Sequence, residues 1–344
     1  MNKLTERQQI ILSLIVHEHT RTAQPVASKT LISDYNLKIS SATVRNEMNV
    51  LTELGYLRQP HTSAGRVPTE DGYRFFVSNL MQQTALPVST RNTIAHQFYQ
   101  SRKGLDHWLP LAASVLANRS RAVSIVTAPH SETVRFKHLE LISTQASQVL
   151  MVLVLVGGEV QQQMISLESV LSQEQLSQIS AQINHLCLNA SLEQIQQLPK
   201  NQNPLVNQVL AAVVDQLSAA SKLVAGNLYL DGISNLLLEP EFLEARSDAS
   251  PLRLLEARPM LGDLIAKTVQ TDEIGDIQVL IGGENIWQDL QNCALVLTRY
   301  GVPDQLSGAI GILGPMRMPY GEAISTVRYV AELMSDLVSD NLTN

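Results

Sequence analysis

The sequence predicts an α+β protein of several domains: a winged helix-turn-helix head, then an α/β domain carrying a helical insertion. Three observations predict it. The first seventy residues run helix, helix, helix, strand, polar turn, strand. Strand-like apolar runs then appear on both sides of a glutamine-rich helical block. And 344 residues exceed what one ordinary hydrophobic core organises.

The head begins with Thr5-Glu6-Arg7-Gln8, the spacing of a capping box, followed by Ile10, Ile11, Leu14 and Ile15 at helical period. Ser28 is placed to cap a second, short helix through Leu31 and Ile32. Ser40 or Ser41 caps a third that reaches Leu54, and Gly55 suits its left-handed stop. Tyr56-Leu57-Arg58 reads as a strand and Arg66-Val67 as its return. "DGYRFFVSNLM" adds a helix, and "QQTALPVST" reads as a linker. Beyond Arg91, two helical stretches precede strand-like runs at 122–127, 134–142, 148–156 and 160–167. Residues 172–230 are helical and rich in glutamine. Strand patterns return at 277–281, 294–299 and 309–313, and a helix over 321–338 closes the chain.

Composition narrows the function classes. Hydrophobic residues make up 44% and charged residues 17%, the balance of a folded globular chain. The longest apolar run, "VLMVLVLV" at 149–156, is too short to span a bilayer and suits a buried strand. The N-terminus lacks an apolar signal core, and two cysteines, Cys187 and Cys293, fit a reducing cytoplasm. The net charge of −7 divides unevenly: residues 1–80 carry +2 and the remainder −9. A mildly basic head on an acidic body keeps nucleic acid open as a partner.

No spacing supports catalysis, metal or a cofactor. The eight histidines are scattered and neither cysteine belongs to a CxxC pair. "TSAG" at Thr62–Gly65 lacks the spacing and lysine of a phosphate-binding loop. "GGE" at Gly157–Glu159 and again at Gly282–Glu284 is accounted for by turns after strands, and Asp272-Glu273 by a solvated turn. The third helix is more telling. Val44, Met48 and Leu51 share its apolar stripe, so Arg45, Asn46 and Asn49, with Ala42 and Thr43, lie opposite. Arginine and asparagine match the major-groove edges of guanine and adenine. In the helical block, Leu210, Val213, Val214 and Leu217 form an apolar stripe, either for self-association or for packing within its own domain.

"LTERQQIILSLIV", "QPVASKTL", "SSATVRNEMNVLTELGYLRQPHTSAGRVPT" and "GYRFFV" closely resemble the N-terminal domain of the HrcA family of heat-inducible transcription repressors. "YLDGISNLL" and "GILGPMRMPY" extend the resemblance to the middle and end of the chain. Two departures, Ser41 for a usual proline and Ala27 for a frequent glycine, lie at helix starts or turns. The resemblance implies a winged-helix domain over 1–82, a GAF-like domain over 90–170 and 231–344, and an inserted dimerisation domain over 171–230. It further implies a cytoplasmic, non-enzymatic homodimeric repressor of chaperone operons. Such a repressor binds double-stranded DNA at an inverted-repeat operator (CIRCE), with the chaperonin as modulator and no cofactor, metal or membrane partner. On that reading Thr43, Arg45 and Asn46 lie nearest base edges, with Asn49 a further DNA-binding residue on the same face. Ser40, Ser41, Ser28 and Lys29 meet phosphate, and Arg58, His61, Thr62, Ser63 and Arg66 form the wing's contact surface. The competing expectation is a winged-helix regulator whose GAF-like domain senses a small molecule.

Overall fold

The computed structural model describes every residue except 1–3, 63, 82–84, 102–103, 132–133, 146, 157, 159, 168, 223–227, 244–250, 270–272, 283–289, 304 and 344. Parts of both GGE stretches, Asp272 and the first three residues of the expected linker therefore lie outside the described residues. The chain is mixed α/β and divides into two compact units. One comprises Met1–Val126, Leu228–Tyr300 and Ala309–Asn344; the other comprises Thr127–Asn227 and Gly301–Gly308. No described helix is long and apolar enough to cross a membrane.

The first unit opens with α1 (Glu6–Thr22), α2 (Ser28–Tyr35) and α3 (Ser41–Glu53). The Thr5 capping box forms as expected: the Thr5 hydroxyl accepts from the Gln8 amide, and the Gln8 side chain accepts from Thr5 N–H. Ser28 does not cap α2. It is the first helical residue; Ala27 holds the cap position without a side-chain bond, and the Ser28 hydroxyl instead meets that of Ser41 at 3.1 Å. Ile11, Leu12, Ile15, Leu31, Val44 and Leu51 are fully packed in the core between these helices. Glu18, 4% exposed, receives Arg21 at 2.6 Å and the Tyr35 hydroxyl at 3.2 Å, so its buried charge is matched.

Gly55, at φ +83°, ends α3 in the left-handed region. The chain then forms a two-stranded antiparallel sheet, β1 (Leu57–Arg58) with β2 (Val67–Pro68). Next come α4 (Glu70–Phe75), capped by Thr69, and one π-helical turn over Phe76–Leu80. After α5 (Val88–Gln100) and α6 (Leu105–Ser120), a sheet assembles from distant segments. Its order is β8 (Leu228–Asp231), β3 (Val123–Thr127), β11 (Leu306–Pro315), β10 (Cys293–Val302), β9 (Ile277–Ile281). β3, β10 and β11 lie largely buried, and α14 (Tyr320–Thr343) and α6 pack with one another. Short helices α10 (Ile233–Leu237), α11 (Pro240–Leu243), α12 (Pro251–Glu256) and α13 (Arg258–Val269) complete this unit.

The three-helix region and this sheet meet within the one unit through a polar and aromatic seam. Arg74 donates to the Ile281 carbonyl at 2.8 Å and pairs with Glu70 at 3.1 Å. The Tyr73 ring lies 6.2 Å from that of Tyr320, and its hydroxyl shares a 2.6 Å hydrogen bond with His19. Burial holds His19 down to about 4, against the upward pull of the Glu241 carboxylate. The unfolded chain therefore binds more protons than the folded one between the ordinary histidine value of 6.5 and about 4. Stability from this group is complete above that window and falls as the pH drops through it. Replacing His19 by glutamine is expected to flatten the pH dependence of the urea midpoint there; an unchanged slope removes His19 from the acid response.

In the second unit, β5 (Phe136–Gln145), β6 (Gln148–Leu155) and β7 (Val160–Ser166) form an antiparallel meander. α7 (Gln173–Cys187), α8 (Leu192–Gln196) and α9 (Pro204–Lys222) share its core, and β4 (His130–Ser131) pairs with Leu306-Ser307. The run at 149–156 is fully buried on one side only: Val149, Met151, Leu153 and Leu155 are buried and the alternate residues are half-buried. The stripe on α9 resolves toward internal packing. Val213 and Leu217 are fully buried in this unit's core, and Leu210 and Val214, partly buried, pack against it. The amide-rich composition also has a local cause. β5 is an edge strand. Asn184 gives and takes hydrogen bonds with the Leu139 backbone at 3.0 and 2.7 Å, while Gln173 does so with Leu141 and Ser143. Side-chain amides on α7 thus occupy the backbone groups that an open edge would leave unpaired.

Candidate nucleic-acid interface

α3 is fixed at both ends. Ser40 is its N-cap: its hydroxyl accepts from Thr43 N–H at 3.1 Å and lies 2.9 Å from the Thr43 hydroxyl. Val44, Met48 and Leu51 are 0%, 3% and 0% exposed, which turns Arg45 and Asn46 fully outward. Neither side chain has a hydrogen bond or ion pair among the described residues. Glu47, on the flank, is tied back to α1 by Gln8 at 3.2 Å and Arg7 at 3.5 Å.

The turn between β1 and β2 is held from inside. Both amide hydrogens of Gln59 are used, one toward the Thr62 carbonyl at 2.9 Å and one toward the Ala64 carbonyl at 3.0 Å. Arg66 exchanges backbone hydrogen bonds with Val26, both 2.9 Å, linking the turn to the residues before α2. Gly65 permits this approach: a Cβ there would lie 2.3 Å from the Val26 carbonyl oxygen. The Arg66 guanidinium reaches α3, donating to Thr52 Oγ1 at 3.0 Å and Asn49 Oδ1 at 2.7 Å.

The expected contact residues therefore fall into groups. Lys29, Arg45, Asn46, Arg58, His61 and Thr62 are exposed. Ser40, Thr43, Ser28 and Ser41 are engaged at helix starts with hydroxyl groups at the surface or half-buried. Asn49 and Arg66 are brought together and bonded to one another. Ser63 lies outside the described residues. Gln59 and Thr52 organise the same surface and were not singled out from the sequence. A glutamine beside a polar turn and a threonine near a helix end carry no signal until the turn closes over them.

Among the described residues no group of three or more histidine, cysteine or acidic side chains could hold a metal ion. The two cysteines are buried, and burial pushes their thiols up, Cys187 to about 11 and Cys293 to about 12.

Residues 106–324 match the family profile described as the HrcA protein C terminal domain. Over 345 residues the chain is 42% identical to the heat-inducible transcription repressor HrcA of Roseiflexus sp. (strain RS-1). That alignment covers 98% of this chain and 95% of the relative. The chain belongs to the HrcA family. The HrcA of Chloroflexus aurantiacus is likewise 42% identical, over 98% of this chain and 94% of its own. Among solved structures, a crystal structure of a hypothetical protein at 2.2 Å resolution matches with a TM-score of 0.59 at 20% identity. It covers 98% of this chain and 99% of the other, a likeness of fold. HrcA-family membership makes this chain a transcription repressor and not an enzyme.

Proposed function

We propose that this HrcA-family chain represses transcription by placing α3 in the DNA major groove, with the β1–β2 turn as the wing of a winged helix. The observation that carries the reading is the outward, unengaged pair Arg45 and Asn46 beside a turn braced onto the same helix. Lys29, Arg58, His61 and Thr62 flank that face and suit phosphate, as do the Ser40 and Ser41 hydroxyls at the helix start. Ser63 belongs to the same proposal by its place in the turn.

The target is an inverted-repeat operator of the CIRCE kind upstream of chaperone operons, read by a cytoplasmic homodimer with a GAF-like body and an inserted dimerisation domain. The open side of the β5–β7 sheet supports self-association. Ile142, Leu150 and Met164 stand in one row across it, and Val154 and Val160 in another, with Ile142, Val160 and Met164 40% exposed or more. The chaperonin enters the proposal as modulator through the family resemblance.

Replacing Arg45 by alanine is expected to cost roughly 1–3 kcal/mol on the operator and to relax preference at one base pair. Gel shifts against operator and random duplex check it. Equal weakening on both reduces Arg45 to a phosphate contact, and absence of specific binding by the unaltered chain removes the reading.

A second reading, control by a small molecule, is favoured by one cavity. It holds about 470 Å³ between α1, the π turn and the start of α14, lined by Val16, His17, Phe76, Met81, Met318 and Tyr320 among others. Its lining, which includes Thr20, contains no residue of the sheet strands. A metabolite that raises the melting temperature saturably, and fails to do so after Thr20→Trp, supports this reading; a screen with no stabiliser removes it.

A further inference from the structure

We propose that Asn49 is a donor-only DNA contact, set in that state by Arg66. This rests on the reading that α3 and the β1–β2 turn face DNA.

An asparagine amide offers one accepting oxygen and one donating NH2. Free to turn, it can present both to adenine, which is the pairing the residue type suggests on a groove-reading helix. Here it is not free. A guanidinium has only donors, so whichever amide atom faces Arg66 has to be the oxygen. The 2.7 Å contact to Oδ1 therefore fixes the sense of the amide by chemistry alone. The rest of the network agrees in direction. Thr52 donates its hydroxyl hydrogen to the Met48 carbonyl at 2.8 Å, which leaves the Thr52 oxygen to accept from Arg66 Nε at 3.0 Å. The guanidinium is itself anchored, because the Arg66 backbone is doubly bonded to Val26 and the adjoining Gly65 leaves no room for a side chain.

Asn49 is exposed, and with its oxygen held inward its NH2 is the group left for a ligand. It can donate to a phosphate oxygen or to the acceptor edges of guanine and thymine. Its oxygen, already accepting from Arg66 and oriented by that bond, is not free to swing to the amino hydrogens of adenine or cytosine. Arg66 acts here as a positioning residue through Asn49, whatever its remaining donors do.

The test uses the full chain with an inverted-repeat operator, a random duplex, and operators in which single adenines are replaced by purine, which lacks the 6-amino group. Asn49→Ala is expected to weaken binding roughly five-fold, the worth of one ordinary hydrogen bond. That loss should persist on every purine-substituted operator. Loss on both operator and random DNA identifies a phosphate acceptor; loss confined to the operator identifies a base acceptor. If one purine substitution cancels the Asn49→Ala loss, Asn49 reads adenine and the proposal falls; no loss on any duplex also overturns it. Arg66→Met, which frees the amide, should broaden base preference beside Asn49 if the acceptor is a base. A DNA-independent arm separates this from failure of the DNA reading. In thermal unfolding, Arg66→Met and Asn49→Ala should be non-additive even if the unaltered chain ignores the operator, and additive losses would overturn the brace.

Discussion

A chain carrying Leu51→Ala is expected to lose about 2–5 kcal/mol of stability, the range for emptying a packed leucine site. Leu51 is fully buried on the face of α3 opposite Arg45, among the core residues of α1 and α2. The side chain removed is one of the three, with Val44 and Met48, that keep the outward face outward. Operator binding should therefore fall with the folded fraction and recover on cooling, while base preference among bound molecules stays unchanged. Urea unfolding together with gel shifts at two temperatures checks both halves. An unchanged midpoint would show that the site collapses around the missing atoms, and altered base preference would show that α3 tilts instead of unfolding.

The second large effect belongs to Arg317. Its side chain is 13% exposed and is clasped by two carboxylates: Glu241 on both oxygens, at 2.5 and 3.2 Å, and Glu239. Exchanging it for methionine leaves two half-buried glutamates facing each other with no cation between them. Breaking a buried pair from one side costs on the order of 3 kcal/mol, because the remaining charge stays desolvated. Arg317→Met is thus expected to lower the melting temperature sharply. The triple variant with Glu239→Gln and Glu241→Gln should regain most of the loss, since the orphaned charges are gone. A triple variant as unstable as the single one would assign the role of Arg317 to packing of its stem.

Much of the N-terminal helical region was legible because its signals are local. The Thr5 box, the Ser40 cap and Gly55 are each decided within a few residues of chain. Ser28 misled for the same reason: its identity fits a cap, but the register that makes it the first helical residue, facing Ser41, is set by packing of α2 on α3. Within the site, Arg45 and Asn46 followed from helical period alone. The Arg66–Asn49 contact spans seventeen positions and depends on the turn folding back, which no periodicity encodes. The run at 149–156 read simply as a buried strand, because apolarity does not say how many faces a sheet has covered. The stripe on α9 left two readings open, since a side chain destined for its own core and one destined for a partner obey the same spacing.

The sheet order has a consequence for the chain during synthesis. β3 is buried at every position, yet its partner β11 pairs Val126 with Ile310 and Val123 with Leu313. β3 therefore leaves the ribosome roughly two hundred residues before the strand that covers it. The three opening helices, which pack on one another within Glu6–Glu53, can form early. β3 gains β8 on one edge after about a hundred residues, but its edge toward β11 must wait for nearly the whole remainder of translation. Such long-range pairing slows folding and lengthens the interval in which a sticky edge is available. Maturation of this regulator is thus itself a demand on the cell's folding capacity.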